Sequence, residues 1–309
     1  QNAKTSIGKV CVHVCALQFS MMVDGYSTWA QCKRWVGKPM LWVRPTNTDG
    51  CEIMKAILVA GGHGSRLYPF TRYTHKTLLP LHRRPVIDYA LATIRRSGIT
   101  DITIIGNQFI GQIAQHVGTG LPGENIHYVI EEEPKGVHHA LNLARPHVEG
   151  SRILVYFSDN ITTIEFTDAV SEFRASEAPP GCRLVGRDVD DPERFGVAVF
   201  GENGELSDIV EKPENPPSSF AIGGIYLFDE TFWSRLDAAV ETGDGGVSIT
   251  DVNRTYVAEG SAEIIDWPDS LWIDCGTPDA LLEAAKYAES GRLSPQPCNL
   301  RDGDYLPES

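Results

Sequence analysis

The sequence predicts an α/β fold with a mostly parallel sheet covered by helices on both faces, and three observations carry that expectation. From Met54 onward, short apolar runs alternate with stretches of helical periodicity. The first run, Ile57 to Ala60, is too short for a helix and stops at Gly61 and Gly62, so it reads as a buried strand that delivers a glycine loop. A later buried run, Ile153 to Phe157, ends in Ser158, Asp159 and Asn160, and open α/β sheets gather ligands at the carboxyl ends of such strands.

After the glycine loop the chain continues through Pro69 to Pro80. Pro85 suits a first helical position, Val86, Ile87, Ala90, Leu91 and Ile94 share one helical face, and Gly98 stops the helix. A strand is expected over Asp101 to Ile105, a helix near Ile110 to Val117, a strand over Ile126 to Ile130 and a helix over Gly136 to Ala144. Beyond Gly181 the strands are shorter and separated by turn signals such as Gly201 to Glu205 and Pro213 to Pro217. Leu271 to Ile273 reads as a short strand ending in Asp274, and Thr277 with Pro278 caps and opens the last helix.

Gly61, Gly62 and Gly64 remove the side chains that would keep an anion from backbone N–H groups, and Arg66 and Lys76 add positive charge, so the loop is expected to cradle phosphate. It is not a dinucleotide fingerprint, because Leu67 stands where the third glycine is needed and Asp88 falls inside a predicted helix. Nor is it a P-loop, which ends in Gly-Lys-Ser/Thr at a helix start.

The 309 residues allow one large α/β domain or two small ones. Six basic against three acidic side chains give the first 53 residues a net +3, so with a total of -14 the remainder carries -17. That acidic body argues against nucleic acid or an anionic membrane as partner, and leaves anionic substrates to local Lys and Arg. Of seven cysteines, Cys11, Cys15, Cys32 and Cys51 lie in the first 53 residues and Cys182, Cys275 and Cys298 beyond. Cys11, His13 and Cys15 alternate as along a strand without a CxxC pair, which reads as ordinary thiols ahead of a zinc site, and a reducing cytoplasmic setting is the default. No apolar run is long enough to span a membrane.

The signature GGxGxRLxPxT followed by KxLLP resembles that of the sugar-nucleotide pyrophosphorylases, the sugar-1-phosphate nucleotidyltransferases, and is most similar to their short thymidylyltransferase members. The resemblance continues through Ser158 to Asn160, Phe195 to Val197, Glu211 to Pro213, Ile249 to Arg254 and Leu271 to Pro278. It implies a Rossmann-like nucleotidyltransferase domain over residues 54–290, a C-terminal tail over 291–309, and an N-terminal addition over 1–53 with no family counterpart and no assignable role. It also implies a homo-oligomer that uses Mg²⁺, a nucleoside triphosphate and a hexose 1-phosphate.

In such enzymes a sugar-phosphate oxygen attacks the nucleotide α-phosphorus in line and pyrophosphate leaves, so catalysis is positioning plus charge stabilisation. By resemblance, Gly61, Gly62, Gly64 and Ser65 line the triphosphate, Arg66 stabilises the transition state and Lys76 holds the leaving pyrophosphate. Asp159 and Asp274 match the Mg²⁺ ligands, Glu211 the sugar hydroxyl contact and Lys212 the sugar-phosphate contact. Gly196, Gly223 and Gly224 match positions where substrate approaches backbone, and Trp272 is expected beside the sugar.

Glu131 departs from the pattern. Five residues before Gly136, the thymidylyl and uridylyl relatives carry a Gln that reads the base. An ionised Glu there suits the adjacent N–H donors of guanine, so dTTP or UTP follows the overall resemblance and GTP follows Glu131, unless that carboxylate simply turns to water. His138 and His139 are adjacent on a predicted helix, so one is expected inward and one in solvent, and His138 is a further departure near the base. A non-catalytic sugar-nucleotide-binding subunit is the rival from another class, opposed by intact Arg66, Lys76, Asp159, Lys212 and Asp274.

Overall fold

The computed structural model describes residues 54–177, 179–242 and 247–295. The expected addition over 1–53, with Cys11, His13 and Cys15, and residues 296–309 of the expected tail lie outside the described residues.

The first half opens with β1 (Met54–Ala60), followed by the two-residue strands β2 (Pro80–Leu81) and β3 (Arg84–Pro85) and by α1 (Val86–Arg96). It continues with β4 (Asp101–Gly106), α2 (Ile110–Val117), β5 (Asn125–Ile130), α3 (Val137–Val148), β6 (Arg152–Phe157), β7 (Asn160–Thr162) and α4 (Thr167–Ala175). The second half contains β8 (Cys182–Asp188), β9 (Gly196–Phe200), β10 (Leu206–Glu211), β11 (Phe220–Phe228), α5 (Phe232–Thr242) and α6 (Ile249–Ala258). It closes with β12 (Ala262–Asp266), β13 (Trp272–Asp274) and α7 (Pro278–Glu289).

The main sheet runs in the order β10, β9, β11, β6, β1, β4, β5, with β8 paired to β11 and β12 to β8. Strands β6, β1, β4 and β5 are parallel neighbours, as the alternation of strand and helix requires. Strand β11 then enters antiparallel against β6, β8 and β9, so the mixed character expected of the sheet is concentrated in the second half.

Strand β1 is buried on both sides, and its side chains divide with the period of two that a pleated strand imposes. Ile57 and Val59 face a core built with Ala140, Leu141 and Ala144 of α3 and with α5 and α6. Met54, Ala56, Leu58 and Ala60 face the opposite core, built with α1, α2 and α4. Helices therefore cover both faces. Ile87, Ala90, Leu91 and Ile94 of α1 pack on the sheet as their spacing predicts, whereas Val86 turns to a third, smaller core with Tyr89, Ile161 and Ile273.

Two helices differ from expectation in their bounds. Pro85 stays extended at the N-cap, φ −71° and ψ 159°, and pairs with Pro80, so α1 begins one residue later. Helix α3 starts after Gly136 and runs past Ala144 through Pro146, closed by the Glu149 amide donating to the Arg145 carbonyl at 2.9 Å.

Between β6 and β7 the chain makes the tight turn that presents Asp159. Fully buried Tyr156 holds it by donating its hydroxyl to the Asn160 carbonyl at 2.9 Å, and the Ser158 amide donates to Val59 O at 3.0 Å. Tyr156→Phe would leave that carbonyl without its buried donor, at a cost of about 1 to 3 kcal/mol. The expected result is a lower urea midpoint together with a larger fractional loss of turnover than of substrate binding, read by denaturation and steady-state kinetics.

Candidate active site

The glycine loop folds back through three short 3₁₀ turns, at Ser65–Leu67, Phe70–Arg72 and Lys76–Leu78. Gly62 (φ 83°) and Gly64 (φ 59°) adopt left-handed backbone that a side chain would strain. The carbonyls of both are tied down: Asn107 Nδ2 donates to Gly62 O at 2.8 Å, and Thr71 Oγ1 to Gly64 O at 2.9 Å. The loop backbone is thereby anchored on both sides of His63.

Lys76 follows His75, whose buried ring caps the turn: Nδ1 accepts from the Thr77 amide at 3.2 Å and lies 2.7 Å from Thr77 Oγ1. Burial, reinforced by the neighbouring Lys76 charge, pushes His75 down to about 4. Lys76 Nζ reaches Asp159 Oδ2 at 2.5 Å.

Asp159 and Asp274 come together through the antiparallel pairing of β7 with β13, where Asp274 faces Asn160 in register. The Cys275 amide donates to Asp159 O at 2.8 Å. The two carboxyls experience opposite environments. Burial would raise Asp159, but the Lys76 charge and hydrogen bond outweigh it and hold the group below the usual carboxylate range. Burial and the adjacent Asp159 charge push Asp274 up, with Arg66, Lys76 and Arg194 pulling the other way. Arg66 Nη2 lies 4.0 Å and Arg194 Nη2 3.9 Å from Asp274 Oδ2.

A cavity of about 470 Å³ opens beside this pair and brings together Arg66, Asp159, Gly196, Glu211, Lys212, Gly223, Gly224, Trp272 and Asp274 from the expected set. Glu211 Oε2 accepts from Thr250 Oγ1 at 2.5 Å, and its other oxygen pairs with Lys212 Nζ at 3.1 Å. Thr250 is placed by the start of α6, where Ser248 and Asp251 cap each other reciprocally. Lys212 adopts φ 42°, a conformation uncommon outside glycine, while its amide donates to Phe195 O at 2.9 Å.

A second cavity of about 230 Å³ lies over the start of the glycine loop and contains Gly61, Gly62, Lys76, Glu131 and Gly136. Gly136, Val137 and Phe157 line both cavities and join them. Gly64 and Ser65 line neither. Gly64 packs against Thr71 and Lys76, where a Cβ would meet Thr71 Cγ2 at 2.9 Å, and Ser65 is exposed. Glu131 is not turned to water: it is 4% exposed and lies so close to Gly61 that a Cβ there would meet Oε2 at 2.7 Å. His138 and His139 are both half-buried, against the expectation of one wet ring. His139 is the one whose charge acts on Glu131.

The residues that sequence reasoning left out are Asn160, Arg194 and Thr250. Asn160 is a hub: Oδ1 accepts from Trp272 Nε1 at 2.7 Å and from the Gly224 amide at 3.2 Å, while Nδ2 donates to Asp159 Oδ1 at 3.2 Å. A Cβ on Gly224 would meet Nδ2 at 2.5 Å, so glycine there serves Asn160. Each of the three sits within or beside a quoted motif, which was the available signal.

An anion cradle, a carboxylate pair and a two-part cleft at the carboxyl ends of parallel strands define an α/β enzyme built to handle phosphate esters. The family model described as nucleotidyl transferase matches residues 55–291, and the chain belongs to that family. It is 36% identical over 240 residues to a glucose-1-phosphate thymidylyltransferase of Xanthomonas campestris pv. campestris, covering 76% of this chain and 81% of that one. A glucose-1-phosphate thymidylyltransferase of Neisseria gonorrhoeae is 33% identical over 241 residues, covering 77% and 83%. A Bacillus anthracis crystal structure assigned to a glucose-1-phosphate thymidylyltransferase, in complex with sucrose, aligns with TM-score 0.70 and 35% identity over 76% of this chain and 95% of that one. A UDP-glucose pyrophosphorylase complexed with UDP-glucose shares the fold, with TM-score 0.67 and 21% identity over 78% and 100%.

The neutral His75 cap has a consequence in acid. Its folded value of about 4 lies below the usual 6.5, so the unfolded state binds more protons between those values. The stability it supports is full above about pH 6.5 and is lost as pH falls toward about pH 4. His75→Gln is expected to flatten that part of the stability profile, measured as urea midpoint against pH.

Proposed function

We propose that the chain is a sugar-1-phosphate nucleotidyltransferase, joining a nucleoside triphosphate, dTTP or UTP, to a hexose 1-phosphate, glucose 1-phosphate first, with release of pyrophosphate. The observation that carries this reading is that the Lys76–Asp159 ion pair links the two cavities, Lys76 lining the smaller and Asp159 with Asp274 the larger. The smaller cavity takes the base and the larger one the sugar, so the two phosphates meet between them.

In this reading the amides of Gly61 and Gly62 hold the triphosphate, and Lys76 turns from Asp159 to the departing pyrophosphate. Arg66, free enough to swing because its side chain is 60% exposed, follows the charge that develops on the α-phosphate. Lys212 holds the sugar phosphate and Glu211, fixed by Thr250, accepts from sugar hydroxyls. Trp272 and Gly223 form the face on which the sugar lies. An in-line attack needs no covalent enzyme intermediate, so alignment and charge are the whole of the catalysis.

Among the described residues no group of three or more His, Cys, Asp or Glu is arranged to hold a metal. Two carboxylates fit Mg²⁺ nonetheless, because this ion commonly takes one or two carboxylates and completes its shell with water and substrate phosphates. Burial and the Asp159 charge raise the affinity of Asp274 for a proton, as a neighbouring carboxylate does. Bound there, Mg²⁺ would supply charge neutralisation at the α-phosphate. GTP is a second reading, favoured by the buried carboxyl of Glu131 in the smaller cavity.

The working form is taken as a homo-oligomer and its setting as the cytoplasm. Free, buried Cys182 and Cys275 support the second point. Among the described residues no helix is long and apolar enough to cross a membrane.

A matrix of dTTP, UTP and GTP against several sugar 1-phosphates, read by pyrophosphate release, tests the reaction. Asp159→Asn and Asp274→Asn should each lower turnover by about 10²-fold or more, in the range that loss of one transition-state electrostatic contact produces. Wild-type rates for both variants at limiting Mg²⁺ would remove the assignment. Because every matched residue lies from Lys55 onward, a chain starting at Met54 is expected to keep its activity. A folded but inactive Met54 chain would instead give residues 1–53 a part in the site.

A further inference from the structure

The smaller cavity is walled largely by carbon: Val59, Pro134, Val137, Ala140 and Phe157 surround it, with Lys76 and Glu131 as its two charged side chains. Lys76 pairs with Asp159 at 2.5 Å and in the proposed reaction turns to the phosphates, away from the base. Glu131 is therefore the group available to hydrogen-bond whatever planar ring enters. Its backbone is fixed at the end of β5 by its amide donating to Gly106 O at 2.7 Å, and its carboxyl is pressed against Gly61. A carboxyl in that position loses water, and a base stacked into the cavity would remove more. Burying an ionised carboxylate without a partner costs far more than burying the neutral acid.

Resting on the nucleotidyl-transfer reading, we propose that Glu131 reads the base as a neutral carboxylic acid when the nucleotide is dTTP or UTP and as a carboxylate when it is GTP, so that one proton on this side chain sets base preference. The neutral acid presents one O–H donor and one C=O acceptor, the same pair that a carboxamide presents. Its carbonyl accepts from the N3–H of thymine or uracil, and its O–H donates to the flanking ring carbonyl. Remove the proton and one oxygen still accepts from N3–H, but the other meets a carbonyl lone pair. Guanine reverses the preference: its N1–H and N2–H are adjacent donors, which a carboxylate accepts side by side and a neutral acid opposes with its own O–H.

The surroundings set the sign of the pH dependence. Burial raises the affinity of Glu131 for its proton, and His139 from α3 and His63 from the glycine loop, when charged, lower it. Lys76 faces the cavity from its 3₁₀ turn with its charge already matched by Asp159. Glu132 and Glu133 follow on the chain but are exposed, and Glu133 pairs with Lys135 at 3.0 Å. Preference for dTTP over GTP is expected to fall as pH rises. Binding of dTTP above the transition takes up a proton that binding of GTP does not.

The experiment compares kcat/KM for dTTP, UTP and GTP with one sugar 1-phosphate across about pH 5.5 to about pH 8.5, on wild type and Glu131→Gln. The protonated fraction of an acid falls about tenfold per pH unit above its transition, so a drop of about tenfold or more in the dTTP to GTP ratio is expected for wild type. A flat, pyrimidine-preferring ratio is expected for Glu131→Gln, whose carboxamide does not titrate. Calorimetric titration with dTTP in two buffers of different ionisation enthalpy should show proton uptake by wild type and none by the variant. Turnover with a pH-independent ratio in wild type, or the same slope in Glu131→Gln, overturns the inference alone. No turnover with any of the three nucleotides overturns nucleotidyl transfer and the inference with it.

Discussion

Two aspartates that repel each other are held side by side by the β7–β13 pairing, and the arrangement around them exists to make that tolerable. Lys76 compensates one, and Arg66 and Arg194 stand about 4 Å from the other. The pairs are only partly exposed, where opposite charges interact more strongly than in water and an uncompensated carboxylate is expensive. In the proposed reaction a polyphosphate would add negative charge here; the cations now matched to aspartate would be needed by substrate, and the carboxylates would be released toward a divalent ion.

The scaffold keeps these groups in register with few backbone options. Parallel β1, β4 and β6 end on the same side, which brings the glycine loop and the Asp159 turn together. Two glycines illustrate how closely the parts approach. A Cβ on Gly61 would push the Glu131 carboxyl aside, and one on Gly224 would meet Asn160 and Phe157. Both contacts concern a neighbouring side chain that lies flat against the backbone.

Much of the first half was legible because parallel α/β units announce themselves through period: Ile57 to Ala60, the α1 face and the run Ile153 to Phe157 all appear where the pattern places them. The second half was less so. Helices α5 and α6 and the antiparallel strands before them are distributed among loops whose turn residues interrupt any long period. Site residues inside ordered motifs were recoverable, yet the work of Asn160 was not, since its partner Trp272 is 112 residues away in sequence. Whether Glu131 faces water or protein is likewise a tertiary fact. Its neighbours Glu132 and Glu133 are exposed, and nothing local in three successive glutamates tells the first from the others.

The segment between Thr163 and Leu271 has its two ends fastened together. The Thr163 amide donates to Leu271 O at 3.0 Å, and the Leu271 amide donates back to Thr163 Oγ1 at 2.9 Å across 108 residues. Topologically it is a large excursion pinched at its neck, with Asp159 just before the neck and Asp274 just after it. Lengthening a loop that is already long adds little closure entropy, because the cost grows only with the logarithm of length. Insertion and deletion can therefore remodel the excursion, and with it the larger cavity, while the pinch keeps its two ends, and the carboxylates beside them, together.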